Sequence, residues 1–480
     1  MGYPGNIFVP ISIFGWIPVV ILLFKKLESR IATATAFVAG TMFLPVAAFT
    51  LFGFRDHSKV TVICIGVLLG TYIYDRERFS KFQMQVIDIP VLMWGFAPMF
   101  SSLANGLGFY DGLSQTMYQV IVWGLPYYIA RIYFSDIDSM KILAVAIFIG
   151  TIVYIPFCWF ELIMSPQLHR LTYGFHQSNF LQTLRDGGGF RPMVYMDHGL
   201  MVAMWMILGV FLGIWLFFSR MLPEKILFIP SKWLLLSLIF TSIMMKSVGA
   251  IVLLAIALLV LYLSQKMKSI VLVVIMLCVP LMYIYTRSTG IWDGRNLSGY
   301  VAEKFSPTRA QSLQFRFDNE TILIDKAMQG TFFGWGGYGR SRVFSKSGKD
   351  ISVTDGLWII TLGQNGIYGL VMMIVTIQLP VMLFLRQFDP GQWKSRELAI
   401  PAVMILFLSV WMIDNLLNGM INPIYMLFNG GVNGLILSAE NGLIPSGIPL
   451  GVSSSGDRGL MLPATRFIAT PSTVHTRFIS

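Results

Sequence analysis

Charged residues are scarce in this sequence. Only 12% of its 480 residues are charged, about half the fraction found in an ordinary soluble domain, whereas 55% are hydrophobic. Water cannot be the main solvent of such a chain. Apolar runs of roughly the twenty residues that cross a hydrocarbon core recur from Ile7 to Ser438, and irregular backbone cannot face lipid. The sequence therefore predicts an all-α polytopic membrane protein and excludes a soluble globular domain.

Cysteine and signal-peptide patterns are also lacking. The three cysteines, Cys64, Cys158 and Cys278, all lie inside apolar segments, without the spacing of a metal site or a disulfide framework. We interpret them as small core residues. Positive charges follow the first apolar run, at Lys25 and Lys26, rather than precede it, and no small-residue cleavage site is present. We therefore expect the first run to remain as a membrane helix.

The formal charge of +11 is explained by the distribution of basic residues along the chain. One alternating set of polar breaks holds sixteen Lys and Arg, and the short breaks of the other set hold only Arg55, Lys59 and Lys246. Basic residues accumulate in cytoplasmic loops, so the alternation places the amino terminus outside. It also explains the positive charge without a nucleic-acid partner.

We predict about 12 to 14 transmembrane helices. Thirteen span centres are predicted, at Val19, Leu44, Val67, Gly95, Val122, Phe148, Ile207, Leu238, Ala257, Ile275, Met372, Leu406 and Phe428.

Two breaks are long and are predicted to lie on the outer side, at residues 165–198 (the first loop) and 287–354 (the second loop). The second loop includes Ser312 to Gln329, whose spacing of apolar residues predicts a short amphipathic helix. A glycine-rich turn follows, which can bring backbone close to a ligand. Residues 1–438 are predicted to form one membrane domain, and residues 439–480, rich in Gly, Ser and Pro, a disordered cytoplasmic tail.

Two arginines flank three glycines in the first loop, in the segment from Arg185 to Arg191. Guanidinium groups bind phosphate through paired hydrogen bonds, and glycine lets backbone amides approach it, so the segment is predicted to bind an anionic group. The alternative is that the arginines contact lipid headgroups and the glycines only turn the chain. Asp197 and His198 follow at the mouth of the next helix and are candidate catalytic residues.

The second loop combines arginines with aromatic residues. Arginines can hold a diphosphate while sugar rings rest on aromatic faces. For any single aromatic residue, an interfacial belt is the competing interpretation. The predicted substrate-binding residues of this loop are Arg309, Arg316, Arg340, Arg342, Trp335 and Tyr338.

Carboxylates are the other candidates for a base. A base that accepts a proton from a sugar hydroxyl must lie beside that hydroxyl and have a poised pKa. For Asp318 and Asp325 we favour an exposed helix face, whereas Glu320 and Asp355 flank the glycine-rich turn and are predicted to be catalytic. The histidines are scattered and no outer loop holds an Asp-x-Asp pair, so we predict neither a metal site nor a cofactor.

The order of these parts resembles the O-antigen ligase and polymerase superfamily. Three segments carry the resemblance: Phe315 to Glu320, Phe333 to Arg340, and Thr354 to Trp358 leading to Gly366. They are similar to the family's arginine helix, its glycine-aromatic turn and its Asp-aromatic re-entry into the membrane. The resemblance covers most of the span from Phe190 to Gly369 and, in topology only, the rest of the chain.

This resemblance implies a GT-C-like fold and a metal-independent glycosyltransferase of the bacterial inner membrane that uses polyprenyl-diphosphate-linked glycans as donors. The expected function is polymerisation of repeat units into O-antigen or exopolysaccharide at the outer face, with a flippase and a chain-length regulator as expected partners. The alternative is a ligase that transfers the glycan to a lipid or protein. Family ligases depend on a histidine in the large outer loop, and residues 287–354 contain none, although His176 or His198 could supply the group.

The implied reaction is an inverting-type displacement at the anomeric carbon. Arg191, Arg316 and Arg340 would neutralise the leaving diphosphate, while a carboxylate or His198 deprotonates the acceptor hydroxyl.

Two other functional classes, a transporter and a structural subunit, remain open. A transporter of polysaccharide lipids would usually place charges within its spans, whereas this chain keeps nearly all of them in loops. A purely structural subunit would not explain a large, arginine-rich loop.

The charge asymmetry predicts which polar breaks face outward. Single cysteines at Ser178 and Ser345 should react with a membrane-impermeant thiol reagent in intact spheroplasts, while a cysteine at Ser395 should not, because the break holding Ser395 belongs to the basic set. Labelling of Ser395 together with protection of the other two positions would reverse the orientation.

Overall fold

Helices make up nearly all the regular structure of the described residues. A computed structural model describes residues 5–51, 54–185, 188–226, 228–304, 306–337 and 339–441. The sheets within these ranges are two short antiparallel hairpins, β1 (Phe49–Leu51) with β2 (Phe54–His57) and β3 (Lys225–Ile226) with β4 (Ile229–Pro230). The helices are α1 (Phe8–Lys26), α2 (Ser29–Phe43), α3 (Lys59–Tyr74), α4 (Glu77–Lys81), α5 (Ile89–Ala104), α6 (Phe109–Gln119), α7 (Leu125–Tyr133), α8 (Ile137–Met164), α9 (Leu168–Tyr173), α10 (Gly199–Phe218), α11 (Ser231–Met244), α12 (Val248–Met267), α13 (Val271–Ser288), α14 (Arg295–Lys304), α15 (Pro307–Ala327), α16 (Leu357–Gln387), α17 (Ala399–Asp414) and α18 (Pro423–Glu440).

Seven helices of the described ranges are long and apolar enough to cross a membrane: α1, α5 with the turn before it, α8, α10, α12, α13 and α16. The helices α3, α11 and α17 are apolar but shorter. The predicted class, a multi-pass all-α membrane protein, is confirmed. The predicted span centres fall within helical segments, except for Leu44, which directly follows the end of α2. The count of 12 to 14 crossings stays a prediction, and most of the predicted tail, from residue 442 onward, lies outside the described residues.

The centre of the bundle is built from α10, α17 and α18. Sixteen of the twenty residues of α10 and fifteen of the sixteen residues of α17 are buried. A helix that is apolar on every side belongs inside the bundle, because no face of it needs water. Glycine brings α18 against α7, since a Cβ atom at Gly430 would lie only 2.1 Å from the carbonyl oxygen of Tyr127. The remaining long helices surround this core.

Side-chain contacts join one set of polar breaks at one end of the bundle, which we name the basic face. It comprises the breaks α1–α2, α3–α5, α7–α8, α10–α11, α12–α13 and α16–α17, which hold the sixteen Lys and Arg noted above. Arg30 pairs with Asp136 at 2.9 Å, and Arg131 pairs with the fully buried Asp88 at 2.9 Å. These pairs tie neighbouring helix ends together where the sequence predicts the cytoplasm.

The other breaks meet at the opposite end, which we name the loop face. It comprises β1–β2 and the breaks α5–α6, α8–α10, α11–α12, α13–α16 and α17–α18. Lys59 pairs with Asp197 of the first loop at 2.7 Å, and the Lys246 ammonium donates to the carbonyl oxygen of Gly188 at 2.6 Å. Arg340 of the second loop lies 3.5 Å from Asp111, in α6 of the same face. Both long loops therefore fold over the same end of the bundle.

The first loop is anchored by one buried carboxylate. Glu161, in the last turn of α8, is 1% exposed. One of its oxygens accepts a hydrogen bond from the backbone N–H of Leu168 at 2.9 Å, and the other accepts from Met193 at 2.8 Å and Val194 at 2.7 Å. Hydrogen bonds to an ionised acceptor are the stronger kind. Glu161 therefore fixes both ends of the first loop to α8.

The second loop is joined to a break inside α16. At Gly366 the backbone has φ 65° and ψ −165°, which is outside the helical region and requires glycine. The amides beyond the break donate to the second loop instead of to α16 itself: Ile367 to Thr331 at 2.9 Å and Tyr368 to Phe332 at 3.1 Å. Irregular backbone is tolerated in a membrane protein when protein groups satisfy it, and the second loop supplies those groups here.

The glycine-rich turn completes this junction. The backbone N–H of Trp335 donates to Gly363, and that of Gly336 donates to Gln364, both at 2.9 Å. A Cβ atom at Gly334 would lie 2.5 Å from the backbone nitrogen of Gly366, so the close approach needs glycine. The backbone of the glycine-rich turn, which was predicted to approach a ligand, thus contacts the break in α16 instead.

The anchoring of the first loop can be tested with Glu161→Gln. Because an amide NH2 would face backbone donors, we expect a loss of about 1–3 kcal/mol of stability and faster proteolysis of residues 165–198 in detergent. The matched control is Glu77→Gln, since the side chain of Glu77 is 86% exposed. An unchanged melting temperature for Glu161→Gln, with the proteolysis of the wild type, would contradict this role.

Candidate functional site

Arginines from both long loops converge at the loop face. Arg185 and Arg191 come from the first loop, and Arg309 and Arg316 from α15 in the second; together they are the arginine cluster. Burial of Arg191, reinforced by the charges of Arg185, Arg316 and Arg309, lowers the pKa of the Arg191 guanidinium to about 9. A group with that pKa is still protonated at neutral pH. The contribution of Arg185, Arg316 and Arg309 reflects how near these guanidinium groups lie to Arg191.

The helix α15 determines where two members of the cluster lie. Arg309 and Arg316 are seven residues apart, which is close to two helical turns, so they project from the same side of α15. The buried residues of the helix include Phe317 and Leu323. Pro307 at the start of α15 is suited to the first helical turn, where a missing N–H costs nothing.

Arg191 is held by its backbone while part of its guanidinium is left available. Its N–H donates to the carbonyl oxygen of Thr183 at 2.8 Å. Its side chain lies against Gly199, where a Cβ atom would come within 2.5 Å of the Arg191 Cδ. The Arg191 Nε atom is buried without a hydrogen-bond partner among the described residues. Buried donors in native proteins are normally paired, so this one is suited to an acceptor from outside the chain.

Two carboxylates lie beside the cluster. The Arg316 Nε atom is 3.4 Å from Asp355 Oδ2, and the charge of Arg316 also acts on Asp414. Asp414 is 9% exposed; its Oδ1 accepts from Asn418 at 2.7 Å, and its Oδ2 has no partner in the described part of the chain. Arg316 therefore interacts with two carboxylates as well as with the other guanidinium groups of the cluster.

A buried polar recess adjoins Asp414. The next residue, Asn415, is fully buried, and neither its side-chain oxygen nor its nitrogen has a hydrogen-bond partner within the described ranges. The Asn415 carbonyl oxygen accepts from the backbone N–H of Leu357, which ties the recess to the start of α16. Sequence reasoning missed both Asp414 and Asn415. The available signal was the run of polar residues in the last break of the loop face.

His198 lies next to the cluster as a neutral imidazole. Burial and the charges of Arg191, Arg185 and Arg316 lower the pKa of His198 to about 4. Its Nδ1 accepts from the backbone N–H of Leu200 at 3.1 Å and caps α10, so its Nε2–H donates to Gln182 at 2.9 Å. Both ring nitrogens are therefore engaged. The neighbouring Asp197 is paired with Lys59.

Glu320 lies in a buried network that joins α13, α15 and α16. Tyr283 donates to both of its oxygens at 2.8 and 3.0 Å, Arg287 Nε lies 3.0 Å from Oε2, and Trp358 Nε1 lies 3.3 Å from Oε1. Burial raises the pKa of Glu320, and the hydrogen bonds from Tyr283 and Arg287 oppose that rise. Both oxygens are occupied by protein donors.

The two remaining predicted arginines pair with other carboxylates of the loop face. Arg340 lies 3.5 Å from Asp111 of α6, and Arg342 forms a short ion pair with Asp350 in its own loop. Backbone and hydroxyl hydrogen bonds from Ser352 lower the pKa of Asp350, and Arg342 adds to the effect. Neither Arg340 nor Arg342 is among the groups whose charges lower the pKa of Arg191 or of His198.

Of the two aromatic residues predicted in the glycine-rich turn, Trp335 contacts the end of α15. Trp335 is half-buried, and its Nε1 donates to the carbonyl oxygen of Lys326 at 2.8 Å. The Lys326 ammonium lies 3.5 Å from the centre of the Trp335 ring, within cation–π distance. Tyr338, the other predicted aromatic residue, lies outside the described residues. Trp335 thus packs against the end of α15.

The arginine cluster brings together several residues predicted from different parts of the sequence. Two of the motifs that carry the family resemblance meet there, through Arg316 of Phe315 to Glu320 and Asp355 of Thr354 to Trp358. Compared with models of known protein families and with curated proteins, the chain matches none. The functional assignment therefore depends on the geometry and charge of the arginine cluster.

Proposed function

We propose that the protein is a glycosyltransferase that joins lipid-diphosphate-linked oligosaccharide repeat units at the outer face of a bacterial inner membrane. One observation supports this most strongly: Arg191 of the first loop and Arg309 and Arg316 of the second lie near one another at one end of a membrane bundle, and the buried Nε atom of Arg191 has no hydrogen-bond partner among the described residues. A diphosphate that bridges a lipid and a sugar has an ionised oxygen on each phosphate, so it can bind guanidinium groups from both loops at once. Guanidinium groups bind such oxygens in pairs.

The position of the cluster suits a lipid-linked donor. The cluster lies beside the start of α10, where His198 is the capping residue, and next to Asp355, just before α16. Both helices are long enough to cross a membrane. A diphosphate bound there would be near headgroup level while its lipid chain stays in the bilayer. The sugar would then face the second loop.

The proposed reaction forms a glycosidic bond. The acceptor hydroxyl oxygen attacks the anomeric carbon, the bond from that carbon to the diphosphate oxygen breaks, and the leaving diphosphate keeps the electron pair. Arg191 and Arg316 would stabilise the charge that develops on it. Asp355, whose side chain is 36% exposed beside Arg316, is suited to take the hydroxyl proton. Glu320 has both oxygens engaged, which favours a structural role.

Polymerisation is favoured over ligation by the histidines. The second loop contains none, and His198 in the first loop has both ring nitrogens in hydrogen bonds.

A transport function is less suited to the chain. Within the described apolar helices, charged residues lie in the first two or last two turns and not near the middle, whereas transporters usually bind charged substrates near the midplane.

The donor site can be tested with lysine substitutions in a strain that lacks the chromosomal gene. Arg191→Lys and Arg316→Lys should each lose most chain elongation, because an ammonium keeps the charge but not the planar fork. The readout is surface polysaccharide length on a gel, at equal membrane levels of each variant. The control is Arg295→Lys, also in the second loop, whose side chain is 78% exposed.

The outcomes of this experiment separate the alternatives. Single-repeat product in the deletion strain supports a polymerase, whereas long chains stranded on the carrier lipid would indicate a ligase. Full activity of both lysine variants would mean that the arginines contact lipid headgroups. An unchanged polysaccharide in the deletion strain would refute the proposed function altogether.

The two favoured carboxylates should differ in what their substitution changes. Asp355→Asn should lower the elongation rate roughly a hundredfold with an unchanged melting temperature, as expected for a lost general base. Glu320→Gln should lower the melting temperature, because breaking a buried ion pair costs about 3–5 kcal/mol, while activity per folded molecule is largely kept. The reverse pattern would make Glu320 the base. If Asp355→Asn keeps its activity and Asp414→Asn loses it, Asp414 is the general base.

A further inference from the structure

Two cavities meet at the basic face, far along the bundle from the arginine cluster. The first is an apolar groove of about 530 Å³ between α2 and α8. The second is a polar cleft of about 520 Å³ formed by the start of α8, the residues after α10 and the segment before α17. Lys141 lines both. The pair therefore forms one amphipathic site with an apolar and a charged end.

The groove has the dimensions of a lipid chain in one leaflet. It extends from Ile31 to Phe43 along α2 and from Lys141 to Val153 along α8. Twelve residues of helix rise roughly 18 Å, slightly more than half of a hydrocarbon core about 30 Å thick. Gly150 allows the two helices to approach at the floor of the groove, since a Cβ atom there would lie 2.6 Å from a methyl of Val38.

The cleft holds more positive than negative charge. Its charged residues are Lys141, Arg220 and Arg396 against Asp138 and Glu397. None of these five side chains has an ion-pair partner among the described residues, although paired charges are common elsewhere on this face. Three unpaired cations around one cleft favour an anion with several oxygen atoms.

We propose that this amphipathic site binds an anionic glycerophospholipid of the phosphatidylglycerol type. The phosphate would contact Lys141, Arg220 and Arg396, and the headgroup hydroxyls would donate to Asp138 and Glu397. One acyl chain would occupy the groove between α2 and α8. The excess of one positive charge in the cleft matches the single negative charge of this headgroup, and a zwitterionic lipid would leave that excess uncompensated.

The inference is independent of the proposed function. The site lies at the basic face and shares no residue with the arginine cluster at the loop face. A ligand that binds only the folded protein raises its stability in proportion to the logarithm of its concentration. The bound lipid should therefore stabilise the packing of α2 on α8 without entering the reaction.

The test uses the full-length protein purified in a neutral detergent. Bound lipid is counted by native mass spectrometry, and the melting temperature is measured, with phosphatidylglycerol, phosphatidylethanolamine or phosphatidylcholine added at equal concentration. We expect phosphatidylglycerol to be retained preferentially and to raise the melting temperature most. Glycerol 3-phosphate and inorganic phosphate should give no shift, because they lack the chain that fills the groove.

Two sets of variants locate the binding. Replacing Lys141, Arg220 and Arg396 together by Gln should weaken phosphatidylglycerol binding at least tenfold, since each basic side chain near an anionic headgroup contributes roughly a factor of five. The matched control replaces three other cations of the basic face by Gln, namely Lys25, Lys26 and Lys232, and should keep the preference. Ala146→Phe, which fills the groove, should weaken binding of every phospholipid.

Three results would overturn the proposal. The first is equal retention of phosphatidylglycerol and phosphatidylcholine, or a preference for phosphatidylethanolamine, in the wild-type protein. The second is an unchanged preference after the three cleft cations are removed. The third is a stabilisation by glycerol 3-phosphate as large as that by the whole lipid, which would identify a phosphate site without a lipid chain.

Discussion

Hydrocarbon offers no hydrogen-bond partner, and this constraint decides where every polar group of the chain can lie. The apolar helices carry their charges near their ends, so the chemistry is confined to the two faces of the bundle. Two polar features at the edge of the bundle are satisfied by the long loops. Glu161 binds three backbone amides of the first loop, and the broken backbone at Gly366 pairs with the second loop. The same requirement that protects the bundle thus fixes both loops at the loop face.

The charged groups of the loop face differ in their surroundings. The ion pair between Arg287 and Glu320, each 5% exposed or less, is closed by further hydrogen bonds and joins three helices. The arginine cluster is different, because its guanidinium groups repel one another and the buried Nε atom of Arg191 has no hydrogen-bond partner among the described residues. Assembling like charges lowers stability unless an anion is bound. This difference separates the groups that hold the loop face together from those available to a substrate.

Sequence reasoning identified the membrane class and most helices, because runs of apolar residues are a local signal. It also selected Arg185, Arg191, Arg309 and Arg316, which the structure brings together. It could not distinguish Glu320 from a free carboxylate, since its partners Tyr283 and Arg287 are 37 and 33 residues away in the chain. Pairing of this kind depends on tertiary contacts. For the same reason the glycine-rich turn gave no sign that its backbone packs against α16.

The break in α16 has a consequence for how the protein is made. An unbroken helix of its 31 residues would be roughly 46 Å long, well beyond a hydrocarbon core about 30 Å thick. The segment before Gly366 is therefore free to remain among the loops while the later part enters the bilayer. Its partners, residues 331–336, precede it in the chain and leave the ribosome first. Residues 331–336 are therefore already synthesised when the part of α16 that needs them follows, so synthesis from the amino terminus supplies the partners in the required order.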